Sequence, residues 1–160
     1  MMNLLIEQSG MLTESLTQTL IAFSAQEAYA GIILLAIASD TYFAEEELEA
    51  IDRHLRRIHL FQHYQPETMR RMYQKLFTIL QRDGEDLLLA SARETLPPEL
   101  REAAFASALD LIFADGMISR SESSFLTQLS QALEIPMGTA TKILSVTHLK
   151  YSYNTTLSNN

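Results

Sequence analysis

The 160-residue chain contains no cysteine. This absence excludes disulfide bonds, thiolate metal ligands, cysteine nucleophiles and thiol redox chemistry. Positive charge is also scarce, because 12 lysines and arginines are outnumbered by 20 aspartates and glutamates, which gives a formal net charge of −8. A negative surface repels nucleic acid and anionic membranes and attracts cations or basic protein surfaces. We therefore expect other proteins as partners, and no nucleic acid.

The sequence also lacks a segment typical of export or membrane insertion. Its start, MMNLLIEQSG, has neither the basic region nor the sustained apolar stretch of a secretory signal. The most apolar run, AYAGIILLAIAS at 28–39, is shorter than the roughly 20 residues that span a bilayer. We expect a cytoplasmic protein without direct membrane insertion, and we interpret 28–39 as part of a buried helix.

The pattern of apolar residues predicts helices throughout. No segment alternates apolar and polar residues between turn signals, so a sheet has no support. SAQE at 24–27 is a capping box that predicts a helix start, and Pro66 and Pro136 suit the first turns of two others. The length fits one domain. We predict an all-α, single-domain bundle of about seven to eight helices over residues 1–160, with a flexible tail at 152–160.

Two segments of the chain resemble each other at a separation of 75 residues. Asp40 and Asp115 each follow an apolar helix and precede an amphipathic helix with a glutamate seven places on, Glu47 and Glu122. The pattern predicts two repeat units, at about 24–60 and 99–135, related by a pseudo-twofold axis. Their apolar helices can pack together, which would place both loops near helix N-termini.

The two repeated glutamates have two interpretations each. Helical spacing turns Glu122 toward the apolar face of its helix, and a buried carboxylate must be hydrogen-bonded, protonated or bound to a cation. SRSE is a capping box, so the carboxylate could instead bind the amide of Ser119. Glu47 has no such reciprocal partner, because Ala44 stands at the corresponding position.

The loop aspartates and the acidic run beside them have the same ambiguity. Asp40 and Asp115 could end or cap helices, or could ligate a hard divalent cation together with loop carbonyls and water. Neither loop has the ligand spacing of an EF-hand. Glu46 belongs to a run of acids at 45–49 that is either a first turn favoured by the helix dipole or part of a cation site.

Catalytic motifs are weak in this sequence. His59 and His63 have the i, i+4 spacing used for zinc, but no glutamate follows His59 as in zinc proteases. His54 aligns with Leu129 in the repeat, which favours a packed histidine. There is no glycine-rich phosphate loop and no nucleophile elbow. We predict no catalytic residues; a metal-dependent hydrolase is the enzymatic alternative and would need a metal-bound water.

The paired segments IASDTYFAEEELEAI and IFADGMISRSESSFL, at 37–51 and 112–126, resemble the TerB family of tellurite-resistance proteins. The resemblance covers most of the chain, and the second copy matches the family pattern better. The matching residues are Ala114, Asp115, Gly116, Ile118, Ser119 and Glu122. In the first copy, Thr41 replaces the glycine and Ala44 replaces the small polar residue.

The resemblance implies an all-helical, pseudo-symmetric domain with acids proposed to bind divalent cations. It also implies a role in stress-response assemblies at the cytoplasmic side, with membrane-associated components among the protein partners, and no established enzymatic activity. Tellurite is an anion, and a cysteine-free chain of charge −8 is poorly suited to bind or reduce it, so a resistance role should be indirect.

Together the residues and the resemblance predict a non-enzymatic tellurite-resistance or stress-response protein that has acidic residues for binding a divalent cation and acts through protein partners; the two acidic loops could form one site or two. The expected ion is calcium, magnesium, manganese or zinc. Its predicted ligands are Asp40, Glu46, Glu47, Asp115 and Glu122. The alternative is a metal-independent helical adaptor, in which the same acids only cap helices and form a docking face.

Overall fold

The computed structural model describes residues 19–38, 44–114 and 116–157, with side chains described as far as residue 152. This part of the chain is helical and contains no strand, which confirms the predicted all-α class. Seven α-helices and one short 3₁₀ helix follow each other. They are α1 (Ala25–Ile37), α2 (Glu45–Arg56), the 3₁₀ helix (His59–Phe61), α3 (Pro66–Asp83), α4 (Glu85–Thr95), α5 (Pro98–Phe113), α6 (Arg120–Ala132) and α7 (Met137–Leu157).

Local sequence signals fix several of the helix ends. At the start of α1 the predicted capping box is formed, because Ser24 Oγ accepts from the Glu27 amide at 3.1 Å and the Glu27 carboxylate accepts from the Ser24 amide at 3.0 Å. Gly84 separates α3 from α4 with a φ of +90°, a conformation that favours glycine. Pro98 occupies the first turn of α5, where a missing amide hydrogen costs nothing.

Helix α1 is the centre of the bundle. Every residue from Ala28 to Ala36 is buried, and α1 contacts α2, α3, α4, α5 and α6. A helix that is apolar on all sides is stable in water only when other elements surround it. The interpretation of 28–39 as a buried helix is confirmed for residues 28–36; Ile37 and Ala38 are half-buried and the last residue of the run lies outside the described part of the chain.

Helices α1 and α5 run side by side in the same direction. Near the first half of each helix, the Tyr29 hydroxyl donates to the Ala103 carbonyl at 3.0 Å and lies 2.6 Å from Ser107 Oγ. Near their ends, Ile37 and Ile112 line one common cleft. In addition, α1 contacts α6 and α2 contacts α5, so the helices of the two predicted repeat units contact each other crosswise. The pseudo-twofold symmetry of the units stays a prediction.

The last helix is longer than the sequence pattern indicated. Helix α7 continues to Leu157 and therefore includes residues 152–157 of the stretch predicted as a flexible tail, 152–160. Two contacts with α5 hold this extension. Lys150 Nζ lies 2.7 Å from Asp110 Oδ1, and the Tyr151 ring stacks on Phe113 at 6.5 Å between centroids. Among the described residues, no helix is both long and apolar enough to cross a membrane.

Candidate functional site

A cleft of about 690 Å³ opens where α1 and α5 end and α2 and α6 begin. We call it the acidic cleft. Its apolar lining comes from the last turns of α1 and α5 and from α6: Leu35, Ala36, Ile37, Leu111, Ile112 and Phe125. Since the ends of α1 and α5 meet the starts of α2, α4 and α6 here, the folding of the bundle brings side chains from both predicted repeat units to one place.

Three of the five predicted ligands line this cleft. Glu46 and Glu47 come from the first turn of α2, and Glu122 comes from the first turn of α6. A fourth carboxylate, Glu85 at the start of α4, lines it as well. None of the described residues that line the cleft is a lysine, arginine or histidine. The cleft therefore concentrates negative charge without a basic side chain to balance it, which favours cations.

Two of these glutamates also cap their own helices. The Glu122 carboxylate accepts from the Ser119 amide at 3.4 Å, and Ser119 Oγ accepts from the Glu122 amide at 3.1 Å. The capping-box interpretation of Glu122 is therefore confirmed. Glu47 Oε2 likewise accepts from the Ala44 amide at 3.1 Å, although alanine offers no acceptor in return. Each of these bonds occupies one carboxylate oxygen, and a carboxylate can accept from several partners at once.

The remaining predicted ligands, Asp40 and Asp115, lie outside the described residues. The last described residues before them, Ala38 and Ala114, both line the acidic cleft. In the part of the chain that the structure describes, no three aspartates, glutamates or histidines stand close enough to hold one metal ion together. Glu46, Glu47 and Glu122 are therefore brought to one cleft but do not by themselves form a ligand set.

The donor chemistry of the cleft fits a hard cation better than zinc. Its described donors are carboxylate oxygens with the hydroxyls of Ser121 and Ser124 and the amide of Gln128, and the lining contains no imidazole. Calcium, magnesium and manganese prefer oxygen ligands, whereas protein zinc sites are rich in histidine and cysteine. The cleft thus favours calcium, magnesium or manganese over zinc.

The histidines do not assemble a zinc site. His59 begins the 3₁₀ helix and His63 follows it, so the two do not share an α-helical face; both are exposed, and their Nε2 atoms lie 3.2 and 3.1 Å from the amide nitrogen of Gln62. His54 is half-buried on α2, and its Nε2 has no hydrogen-bond partner within the described structure. Burial lowers the His54 pKa, against the opposing charge of Asp110.

Glu85 is the cleft residue that sequence reasoning missed. It lies outside both predicted repeat units, 38 residues after Glu47, so the repeat gives no reason to select it. The available signal was its position directly after Gly84, which ends one helix and starts another. A glutamate there is favoured by the helix dipole, and only the packing of α4 against α1 brings it to the cleft.

The chain was compared with protein-family models, with curated proteins and with solved structures. None of the three comparisons found a significant match.

Proposed function

We propose that this chain is a TerB-like, non-enzymatic stress-response protein whose acidic cleft binds a divalent cation and which acts through protein partners in the cytoplasm. The observation that carries the proposal is the convergence of Glu46, Glu47 and Glu122 on one cleft with no basic residue among its described lining. Glu46 and Glu47 belong to one predicted repeat unit and Glu122 to the other, so the cleft joins the two units.

Asp40 and Asp115 are the remaining ligands of the proposed site. Asp40 and Asp115 follow Ala38 and Ala114, which line the cleft, and would supply the further oxygen ligands that the described carboxylates lack. A bound cation would offset the repulsion between neighbouring carboxylates and tie the two loops to the first turns of α2 and α6. The surface presented to a partner would then depend on the ion. This is a binding function, and it requires no reacting group.

Glutamine substitutions separate ligation from capping. Glutamine at the third helical position retains the capping hydrogen bond but loses the carboxylate charge. In Glu46→Gln, Glu47→Gln and Glu122→Gln we therefore expect weaker binding of calcium, magnesium or manganese with a small change in the stability of the cation-free protein. Glu46 is the sharpest single test, because its carboxylate makes no hydrogen bond or ion pair that is found among the described residues.

The aspartates are tested by Asp40→Asn and Asp115→Asn. Both changes keep the shape of the side chain and remove its charge, so we expect each to weaken cation binding, measured as the ion-dependent rise in melting temperature. The thermal transition without added ion serves as the control for folding. An ion-dependent rise of unchanged size in both variants would exclude these aspartates as ligands.

The capping hydrogen bonds favour one alternative function, a metal-independent adaptor. The contacts from Glu47 to Ala44 and from Glu122 to Ser119 give both acids a structural role that needs no ion. The adaptor predicts that Glu47→Ala and Glu122→Ala lose stability equally with and without calcium, magnesium or manganese. Cation binding predicts instead that these variants lose most stability when the ion is present.

A further inference from the structure

Most of the large apolar side chains that are exposed in the described structure lie on one surface. They are, with their exposed fractions, Leu144 (40%), Val146 (65%), Leu149 (70%), Met117 (82%) and Met137 (85%). The first three belong to α7, and Met137 precedes Leu144 by about two turns of the same helix. Met117 belongs to the connection between α5 and α6, and its neighbours Gly116 and Ile118 line a groove together with residues of α7.

This groove lies between α7 and the connection from α5 to α6, and it has a volume of about 660 Å³. Its apolar lining is formed by Phe113, Ile118, Leu144 and Leu149, and Ser145 and His148 add polar groups. No aspartate, glutamate, lysine or arginine is among its described lining residues. We call this surface the α7 groove.

Val146 and Leu149 form an apolar ridge along one edge of the α7 groove. Helix α7 packs on the bundle through Thr147, which is buried. At 100° per residue, Leu149 lies about 160° from Thr147 and about 60° from Val146, so both apolar side chains are on the outer side of the helix. We call these two side chains the α7 ridge. An apolar ridge beside an apolar groove is a surface that can fit a copy of itself.

The exposed apolar area is large enough for a dimer interface. The five side chains with the exposed fractions given above expose together roughly 700 Å², whereas the largest apolar patch on a typical monomer measures roughly 300–600 Å². An interface of standard size buries about 800 Å² on each partner, and about two thirds of that area is apolar in homodimers. These five side chains therefore suffice for the apolar share of one partner's interface.

We propose that a second copy of this chain covers the α7 groove, in a dimer with twofold symmetry in which the α7 ridge of each copy packs into the α7 groove of the other. Because ridge and groove lie side by side on one surface, a single rotation by 180° can place both ridges in the opposite grooves. The contact does not use the acidic cleft, so the proposal is independent of cation binding.

The charges on this surface favour a second copy over a basic partner protein. Two molecules with a net charge of −8 repel each other, and they approach most favourably through surfaces without carboxylates. A basic partner would instead be attracted to the acidic cleft. Of the two lysines in α7, Lys150 is paired with Asp110 of its own chain. Lys142 is exposed on the outer side, where its stem can lie along apolar surface while the ammonium group stays in water.

Sedimentation equilibrium of the full chain, whose monomer mass is 18.1 kDa, tests the dimer. It compares wild type with the double variant Val146→Glu, Leu149→Glu. The matched control, Gln81→Glu, Gln131→Glu, adds the same charge at exposed positions outside the α7 groove. We expect wild type and control to form dimers, and the ridge variant to dissociate with a Kd about 100-fold higher or more. A monomeric wild type at every concentration, or an equal Kd in all three proteins, would overturn the proposal.

A second measurement keeps the native ridge and groove, so it does not depend on how the ridge variant folds. A nitroxide is placed on Thr141→Cys, an exposed position of α7, and it is unique because the chain has no cysteine. This copy is mixed with unlabelled, methyl-enriched wild type, in which broadening can arise only from a second molecule. We expect loss of the Val146 and Leu149 signals, while Ile21 and Ile79 keep theirs. Broadening of Ile79, or of no signal, would overturn the proposal; the second result is expected if another segment of the same chain covers the groove.

Discussion

The carboxylates of Glu47 and Glu122 occupy the same position in two different helices. Each is the third helical residue, and each accepts a hydrogen bond from the backbone amide of the residue that precedes its helix, Ala44 or Ser119. The two caps differ in one atom, because Ser119 Oγ accepts from the Glu122 amide and Ala44 has no side-chain acceptor. Among the described residues, the amide of Glu47 donates to the Ala44 carbonyl at 3.1 Å.

Completing the first cap should stabilise the protein. Ala44 already has the extended backbone of an N-cap residue, with φ −70° and ψ 152°, so Ala44→Ser supplies the missing acceptor without rearrangement. We expect a gain of about 1 kcal/mol in the free energy of unfolding, measured by urea denaturation. The reciprocal change, Ser119→Ala, should lose about the same. A loss of stability in Ala44→Ser would show that the α2 cap is not formed as described.

Replacing His54 by the leucine of the other repeat should change the pH dependence of stability. Burial lowers the His54 pKa below its ordinary value of 6.5, although Asp110 opposes the shift and Lys150 and Arg57 add to it. The folded protein therefore binds this proton less readily than the unfolded chain. The free energy of unfolding is therefore not reduced by His54 above about pH 6.5, where its imidazole is neutral in both states. As the pH falls below that value, the unfolded chain takes up the proton more readily and the free energy of unfolding decreases.

We expect His54→Leu to unfold with a free energy about 1 kcal/mol higher at pH 7.5, because the variant removes a buried nitrogen that lacks a partner in the described structure. The difference in the free energy of unfolding between His54→Leu and wild type should be larger at pH 5.5. Urea denaturation at the two pH values measures both effects. His59→Leu is the matched control, since His59 is exposed and should change stability by less than about 0.5 kcal/mol. An equal fall in stability with pH in wild type and His54→Leu would contradict this interpretation.

The hydroxyls of Tyr29 and Ser107 should act as one unit. They lie 2.6 Å apart in the interface between α1 and α5, where Tyr29 is 1% exposed. Tyr29→Phe and Ser107→Ala should each cost about 1 to 2 kcal/mol, because each leaves a buried hydroxyl with fewer partners. In the double variant the loss should be smaller than the sum of the two, by about 1 kcal/mol. Strict additivity in this double-mutant cycle would show that the bond contributes nothing.

Much of the fold could be predicted because its signals are local. The capping box at Ser24, the helix break at Gly84 and the proline at position 98 each act through their own backbone, and the structure has helix ends at all three. The end of α7 could not be predicted in this way. Its last turns depend on Asp110 and Phe113, which lie about 40 residues away in the sequence.

The candidate site, like the fold, could be predicted only in part from the sequence. The repeat predicted Glu47 and Glu122 as equivalent residues, and the structure gives them equivalent caps and one shared cleft. The repeat could not predict Glu85, which reaches the cleft because α4 packs against α1. The capping hydrogen bond of Glu47 could not be predicted either. The sequence pattern of a capping box requires a polar N-cap side chain, whereas the observed bond is donated by the backbone amide of Ala44.

The most direct test of the cation site is calorimetric titration of the chelator-treated chain with calcium, magnesium and manganese. It compares wild type with the triple variant Glu46→Gln, Glu47→Gln, Glu122→Gln. The matched control, Glu94→Gln, Glu99→Gln, Glu102→Gln, changes the net charge equally at exposed positions that do not line the acidic cleft. We expect saturable binding in wild type and in the control and its loss in the cleft variant. No binding to wild type, or equal binding in all three proteins, would contradict a cation site in this cleft.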